Sequence, residues 1–470
     1  MSDEEWNYQD EGERIALVKR FEEMLESNAS YFFDVDQFEV IVDFYSERNH
    51  VKKALHVLQY AQQLFPDSIQ LLLREAQLFA SSGKLSRAVP RLKNLLLFEP
   101  NNEEILMSLA SVYSQLREHQ KAIELLDHAR KHADEELRDE IWIEMALEYE
   151  NLNRFDKAIE TLKEAIEANP ENETALYEIN YCFDMADRYD EGALFFEGFI
   201  DEHPYSFPAW YNLGNAFQKL EKFPEALQAY DYCLVIEEDF APAYANKANV
   251  LVKLERYAEA IAAYHELLEY DIPQANTFCY IGECHERIDQ YDEADFYYKE
   301  ALKIDEEFAD AWVGLGVVAD LRDMTDTALR YFRRAIEIEP ENVDYLLLLA
   351  AAMRKVGMHG DAEELYVKII QLDSNHPDAW LDHSDNAAQM GDYGRALDLI
   401  AEGMSQVEDP SELEYREVAY LYQAGKHKQA YTQLGLLLTR DAENSQSLLD
   451  YLPEIGEDAV VLQLMDLHKQ

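Results

Sequence analysis

The chain has 470 residues, too many for one compact core, and its 95 acidic and 41 basic residues give a net charge of −54. A field of that sign repels phosphate backbones and anionic membrane surfaces, so nucleic acid and membrane are excluded as expected partners, and basic protein segments are favoured. Apolar residues make up 48% of the chain, with only 16 Gly and 13 Pro, which predicts an all-α protein with short connections.

Taken from the N-terminus, "MSDEEWNYQDEGERIALVKR" is acidic and has no apolar core of signal-peptide length. Residues 11–27, "EGERIALVKRFEEMLES", alternate apolar and charged residues at helical spacing. From there a period takes over. Ala54, Ala88, Ala122, Ala158, Gly192, Ala226, Ala260, Ala294, Ala328, Ala362, Ala396 and Ala430 follow at 34-residue steps, except for a 36-residue step after Ala122. A large apolar residue often stands sixteen before each of these, as in Leu72, Leu106, Trp142, Trp210, Trp312 and Trp380. A small one often stands twelve before, as in Ala76, Ala110, Gly214, Ala248, Gly282 and Gly316.

In each unit, large residues at positions four, seven and eleven and a small one at eight form a single helical stripe. In the sixth unit these are Trp210, Leu213, Phe217 and Gly214. A second stripe uses positions twenty, twenty-four and twenty-seven, here Ala226, Tyr230 and Cys233. Between the stripes, Gly83, Gly357, Gly391 and Gly425 share one position with Asn49, Asn153, Asp187, Asp289 and Asp323. These residue types accept a left-handed backbone, so each unit reads as two antiparallel helices joined by a tight turn.

The extra two residues near 132–140, "HADEELRDE", predict a longer helix or loop there. In the last unit Glu414 and Glu417 occupy normally apolar positions, so its first helix is expected to be shifted or exposed. The expected organisation is an N-terminal acidic segment and capping helix over 1–34, twelve units over 35–444 and capping helices over 445–470. The units start near 35, 69, 103, 139, 173, 207, 241, 275, 309, 343, 377 and 411.

This register resembles the tetratricopeptide repeat, whose pattern is a large apolar residue, Leu, Gly or Ala, and Tyr, then later Ala, an aromatic, Ala and Pro. The resemblance implies a right-handed superhelical α-solenoid. It also implies a concave groove lined by the first helix of each unit, in which peptides bind. Positions two, five, six, nine, twelve and thirteen point away from the packing stripe. In the middle units they hold Tyr177, Tyr181, Tyr211, Asn212, Asn215, Asn246, Asn249 and Tyr280, which are the candidate peptide-groove residues. Asn can bond both the N–H and C=O of an extended peptide, and Tyr adds a rigid face with a polar tip.

Some arrays of this family hold chaperone tails through a clamp of Lys, Arg and Asn. Asn215 and Asn246 match its amides. Tyr211, Asn276 and Tyr280 stand where its cations belong, so carboxylate capture is not expected.

No nucleophile elbow, phosphate-binding loop or zinc-type His pair occurs. Cys279, Cys284 and His285 in "CYIGECHE" are the best metal candidate. The two Cys diverge by roughly 140° on a helix, and His285 holds a packing position, so the group reads as core. Cys233 replaces a packing Ala and reads the same way. No catalytic residue, metal or cofactor is expected. With no disulfide framework and no run of transmembrane length, a cytoplasmic protein is expected.

The sequence thus predicts a protein–protein interaction scaffold binding an extended, preferably basic, segment in its groove. The alternative is an assembly subunit that oligomerises through its ends or outer faces without a defined peptide ligand. Homo-oligomerisation is left open.

Overall fold

Twelve helical hairpins run between residues 35 and 440 of the computed structural model, which describes residues 3–27, 31–440 and 442–468. Residues 1, 2, 28–30, 469 and 470 of the expected end segments, and residue 441 of the expected twelfth unit, lie outside the described residues. The chain divides into two compact bodies, 1–239 and 240–470. The first holds hairpins one to six, the second hairpins seven to twelve.

Each hairpin arises from the same local chemistry. The first helix opens on a side-chain cap in several units. Asp34, Ser68, Asn102, Asp134, Asn172 and Asn342 each accept a hydrogen bond from the backbone N–H three residues on. It closes on one residue with positive φ. Four are the glycines expected from the sequence, with φ from 71° at Gly83 to 82° at Gly391. Five are the expected Asn and Asp residues, and the other three are Arg117, Glu221 and Glu255, with φ of 57–59°. The next N–H then reaches back five residues, as Lys84 N–H does to Phe79 O at 2.8 Å and Lys222 N–H to Phe217 O at 2.9 Å. This is a Schellman closure, which satisfies helix-end carbonyls and reverses the chain.

Packing follows the small residues. Ala54, Ala88, Ala122, Ala226, Ala294 and Ala362 are fully buried. Gly214 lies beneath the Tyr230 ring, and a Cβ there would stand 2.5 Å from Tyr230 Cε1. The indole N–H groups of Trp210, Trp312 and Trp380 each donate at 2.9 Å to the carbonyl six residues back, pinning the preceding loop. Trp142 departs from this. Its first helix runs Glu135–Asn151, 17 residues against the usual 13, so the carbonyl six back lies inside the helix. Trp142 Nε1 is buried without a partner among the described residues. The two extra residues therefore extend a helix.

At the start, Val18, Phe21 and Met24 of helix Asp3–Ser27 pack with Phe38, Ile41 and Leu58 of hairpin one. At the end, Leu448, Leu452, Ile455, Val461 and Met465 pack with Val418, Leu434 and Leu437 of hairpin twelve. That hairpin corrects one expectation. Its first helix is neither shifted nor exposed: it starts at Ser411, 34 residues after Pro377, and buries Leu413, Tyr415, Val418, Ala419 and Tyr420. The two acids are accommodated by partners, Glu414 by Arg440 and Glu417 by Gln433 Nε2 at 3.2 Å.

Candidate functional site

Several successive first helices approach one another within each body, among them Glu173–Met185 and Phe207–Lys219 in the first and Ala275–Arg287 and Ala309–Leu321 in the second. The candidate residues divide between the bodies: Tyr177, Tyr181, Tyr211, Asn212 and Asn215 in the first, Asn246, Asn249 and Tyr280 in the second.

In the first body Tyr177 and Tyr211 meet edge to face, with centroids 6.3 Å apart. Both are half-buried, while Tyr181, one turn beyond Tyr177, is 47% exposed. Asn215 is half-buried, and its Oδ1 accepts from the Tyr230 hydroxyl at 2.9 Å. Asn212 departs from expectation. It is 1% exposed, and its Nδ2 donates to Leu176 O in the preceding first helix at 2.9 Å. In this unit position six lies between neighbouring first helices, so the amide ties two repeats together and does not face a ligand. Gly314 holds the same position three repeats on, and a Cβ there would stand 2.2 Å from Tyr298 Cζ.

Acidic residues border the first-helix face. Glu144 is half-buried, and desolvation together with Glu140 and Glu148 pushes its carboxyl up to about 7. Burial also raises Glu150 and Glu178. The signal in the sequence was Glu140, Glu144 and Glu148 at four-residue spacing, like charges on one helix face.

In the second body a cleft of about 310 Å³ opens between the helices Ala241–Lys253 and Ala275–Arg287. Asn249, Gln274, Asn276, Thr277, Tyr264 and Tyr280 contribute to its lining. The rings of Tyr264 and Tyr280 stack at 5.9 Å, and the Tyr264 hydroxyl donates to Asn249 Oδ1 at 2.8 Å. Asn249 is exposed, and Tyr280 is 42% exposed. Asn246 is half-buried on the same first helix as Asn249 and lies outside that lining. The cleft therefore offers amide donors and acceptors beside a stacked aromatic pair. Tyr264 holds position twenty-four of its unit, in the register of the second packing stripe. Its ring does pack, but its hydroxyl emerges on the first-helix face.

The Cys–His group is core. Cys279 and Cys284 are 1% and 2% exposed. His285 stacks on Tyr297 at 5.3 Å and shares a 2.7 Å hydrogen bond with Gln290. All four cysteines are free and buried, and burial pushes the Cys233 and Cys284 thiols up to about 12. Among the described residues no group of three or more His, Cys, Asp or Glu is arranged to hold a metal. None of the described helices is long and apolar enough to cross a membrane.

Four family models, each described as a tetratricopeptide repeat, match residues 79–142, 139–172, 207–240 and 246–297. No curated protein matches the chain. Solved structures similar to it include the APC/C hetero-tetramer Cut9–Hcn1, at 15% identity and TM-score 0.39 over 82% of this chain and 96% of that one. YrrB, described as a TPR protein with an unusual peptide-binding site, aligns at 24% identity and TM-score 0.33 over 39% of this chain and 95% of its own. MamA aligns at 18% identity and TM-score 0.33 over 36% and 91%. The family-model matches and the unbroken succession of helical hairpins agree: the chain is a tetratricopeptide repeat protein, an all-α scaffold for protein–protein interaction.

Proposed function

We propose that the first-helix faces bind an extended, basic segment of a partner protein, and that the scaffold works in the cytoplasm. The observation that carries this reading is the amide-lined cleft around Asn249, Asn276 and the Tyr264–Tyr280 stack. An extended backbone presents alternating N–H and C=O groups, which side-chain amides satisfy in either sense. Tyr faces add contact area at low entropic cost. Tyr177, Tyr181, Tyr211 and Asn215 give the first body a similar chemistry. The charge of −54 supplies the steering and the preference for basic segments. Asn212 is left out of the contact set because its amide is used within the fold.

The test is fluorescence anisotropy with a labelled Lys-rich dodecapeptide. Asn249→Ala combined with Tyr280→Ala should weaken binding by about ten- to thirty-fold, from one lost hydrogen bond and one lost aromatic contact. Association should slow as salt rises from about 50 to about 300 mM, because the Debye length shrinks. Unchanged affinity in the double variant would count against the cleft. A rate indifferent to salt would count against steering.

A second reading, assembly through outer faces, draws on Leu97 and Phe98, which are 80% and 77% exposed at the end of hairpin two. Sedimentation of Leu97→Glu, Phe98→Glu protein tests it. A wild-type oligomer that dissociates in the variant supports assembly, and a wild-type monomer removes it.

A further inference from the structure

In hairpins seven, eight and ten the second helix carries a buried Tyr at one register position, whereas hairpins eleven and twelve hold Ile400 and Leu434 there. Tyr264, Tyr298 and Tyr366 stand at multiples of 34, and Phe332 takes the place between the last two. Where Tyr264 and Tyr298 occur, a polar residue on the hairpin's own first helix receives the hydroxyl. Tyr264 donates to Asn249 at 2.8 Å, and Tyr298 to Glu286 at 2.9 Å.

At Phe332 there is no hydroxyl to receive. The residue in the register of Asn249 is Val317, and its counterpart one repeat further on is Ala351. Three changes thus coincide in space: the hydroxyl, its amide partner and a long side chain in the next repeat are all missing. What they leave is a cavity of about 420 Å³, whose walls include Val317, Leu321, Phe332, Leu348, Ala351 and Lys355. It opens on the first-helix face, where Leu321 is 52% exposed.

The charges around the cavity are already paired. Lys355 lies 3.0 Å from Asp320 and 3.6 Å from Asp323, and Arg354 lies 2.9 Å from Asp382. Of these charges the cavity's own lining holds Asp320, Arg354 and Lys355, and both cations are neutralised by their pairs, so the charge a ligand's flanks meet is that of the protein as a whole, −54. An acidic flank on a ligand would meet like charge there, and a basic flank would meet opposite charge.

We propose that this cavity is the anchor socket for one bulky apolar side chain, flanked by Lys or Arg, in an extended partner segment. The inference rests on the peptide-binding reading above and adds to it where the anchor sits and what it is. An apolar side chain filling a walled pocket is the usual form of a binding hot spot.

The test uses three labelled peptides of one length: one with Phe between Lys pairs, one with Ala in place of Phe, and one with Phe between Glu pairs. Anisotropy is measured against wild type, Ala351→Leu, which plugs the socket, and Leu348→Ala, which removes a wall. Circular dichroism melts confirm that each variant folds, and if Ala351→Leu does not, Leu348→Ala decides.

Wild type should bind the Lys-flanked Phe peptide about tenfold tighter than its Ala counterpart. Ala351→Leu should reduce that preference to within about twofold, and Leu348→Ala should reduce it several-fold. Equal affinity of wild type for the Phe and Ala peptides overturns the socket and leaves the peptide-binding reading standing. So does a preference unmoved by both variants. A Glu-flanked peptide that binds as tightly as the Lys-flanked one overturns the assigned partner chemistry. Absence of binding by every peptide overturns both readings.

Discussion

Two helical glycines should respond to the same substitution with opposite signs. In Gly214→Ala the new Cβ would stand 2.5, 2.7 and 2.9 Å from Cε1, Cδ1 and Cζ of Tyr230. Carbon atoms in contact prefer about 3.5–4.0 Å, so ring or helix must move by roughly 1 Å. Tyr230 is fully buried, and its hydroxyl holds Asn215 Oδ1 and Gln218 Oε1, both at 2.9 Å. Overpacking of this kind costs about 1–3 kcal/mol, and a strained hydrogen bond adds about 1 kcal/mol. Ala offsets about 1 kcal/mol through helix propensity. The net is a destabilisation of about 1–3 kcal/mol.

Gly198 sits inside helix Tyr189–Glu202, and a Cβ there meets nothing within 4 Å. Only the propensity gain remains, so Gly198→Ala should stabilise by about 1 kcal/mol. Repeat arrays unfold in parts, which blurs a single melting temperature. Native-state hydrogen exchange read hairpin by hairpin resolves the effect. Gly214→Ala should speed exchange in residues 207–236 by about ten- to a hundred-fold, and Gly198→Ala should slow it in residues 189–202 by about fivefold. If both variants move protection in the same direction, the claim that position eight is set by close approach to the aromatic ring is wrong.

Glu144→Gln tests the electrostatics of the first body. The carboxyl of Glu144 is raised from 4.5 to about 7. Between those values the folded state keeps a proton that the unfolded chain has released, so wild-type stability falls as pH rises through that window. The substitution should leave stability near pH 4 unchanged and raise it near pH 8 by on the order of 1–2 kcal/mol, after discounting for solvent screening. Urea unfolding of both proteins across that range measures the difference, and a difference that does not grow with pH contradicts the burial of the charge. Glu255 has a φ of 58°, a conformation that costs a long side chain about 1 kcal/mol and that Asn tolerates. Glu255→Asn should slow exchange in hairpin seven by a few-fold, and faster exchange would deny that the turn is strained.

The period and packing register were legible in the sequence because each repeat packs only on its neighbours, so one contact set recurs at one spacing. Small residues at positions eight and twenty and a large apolar or aromatic residue at twenty-four are demanded by helix approach, and most tight turns announced themselves through Gly, Asn or Asp. The turns at Arg117, Glu221 and Glu255 did not. There the closure of the hairpin forces the backbone into the left-handed region regardless of side chain, a tertiary demand overriding local preference.

The binding face was only half legible. Helical periodicity alone placed Asn212 with Tyr211 and Asn215 on one outward arc. Whether position six faces solvent or the preceding repeat depends on how closely two first helices approach, a distance absent from any single helix. The cavity beside Phe332 is of the same kind. Val317, Phe332 and Ala351 are each unremarkable substitutions in three separate helices, and only their meeting in space opens a void. What one helix needs in order to pack on the next was written in the chain. What the assembled face leaves open was decided by the sum of several repeats.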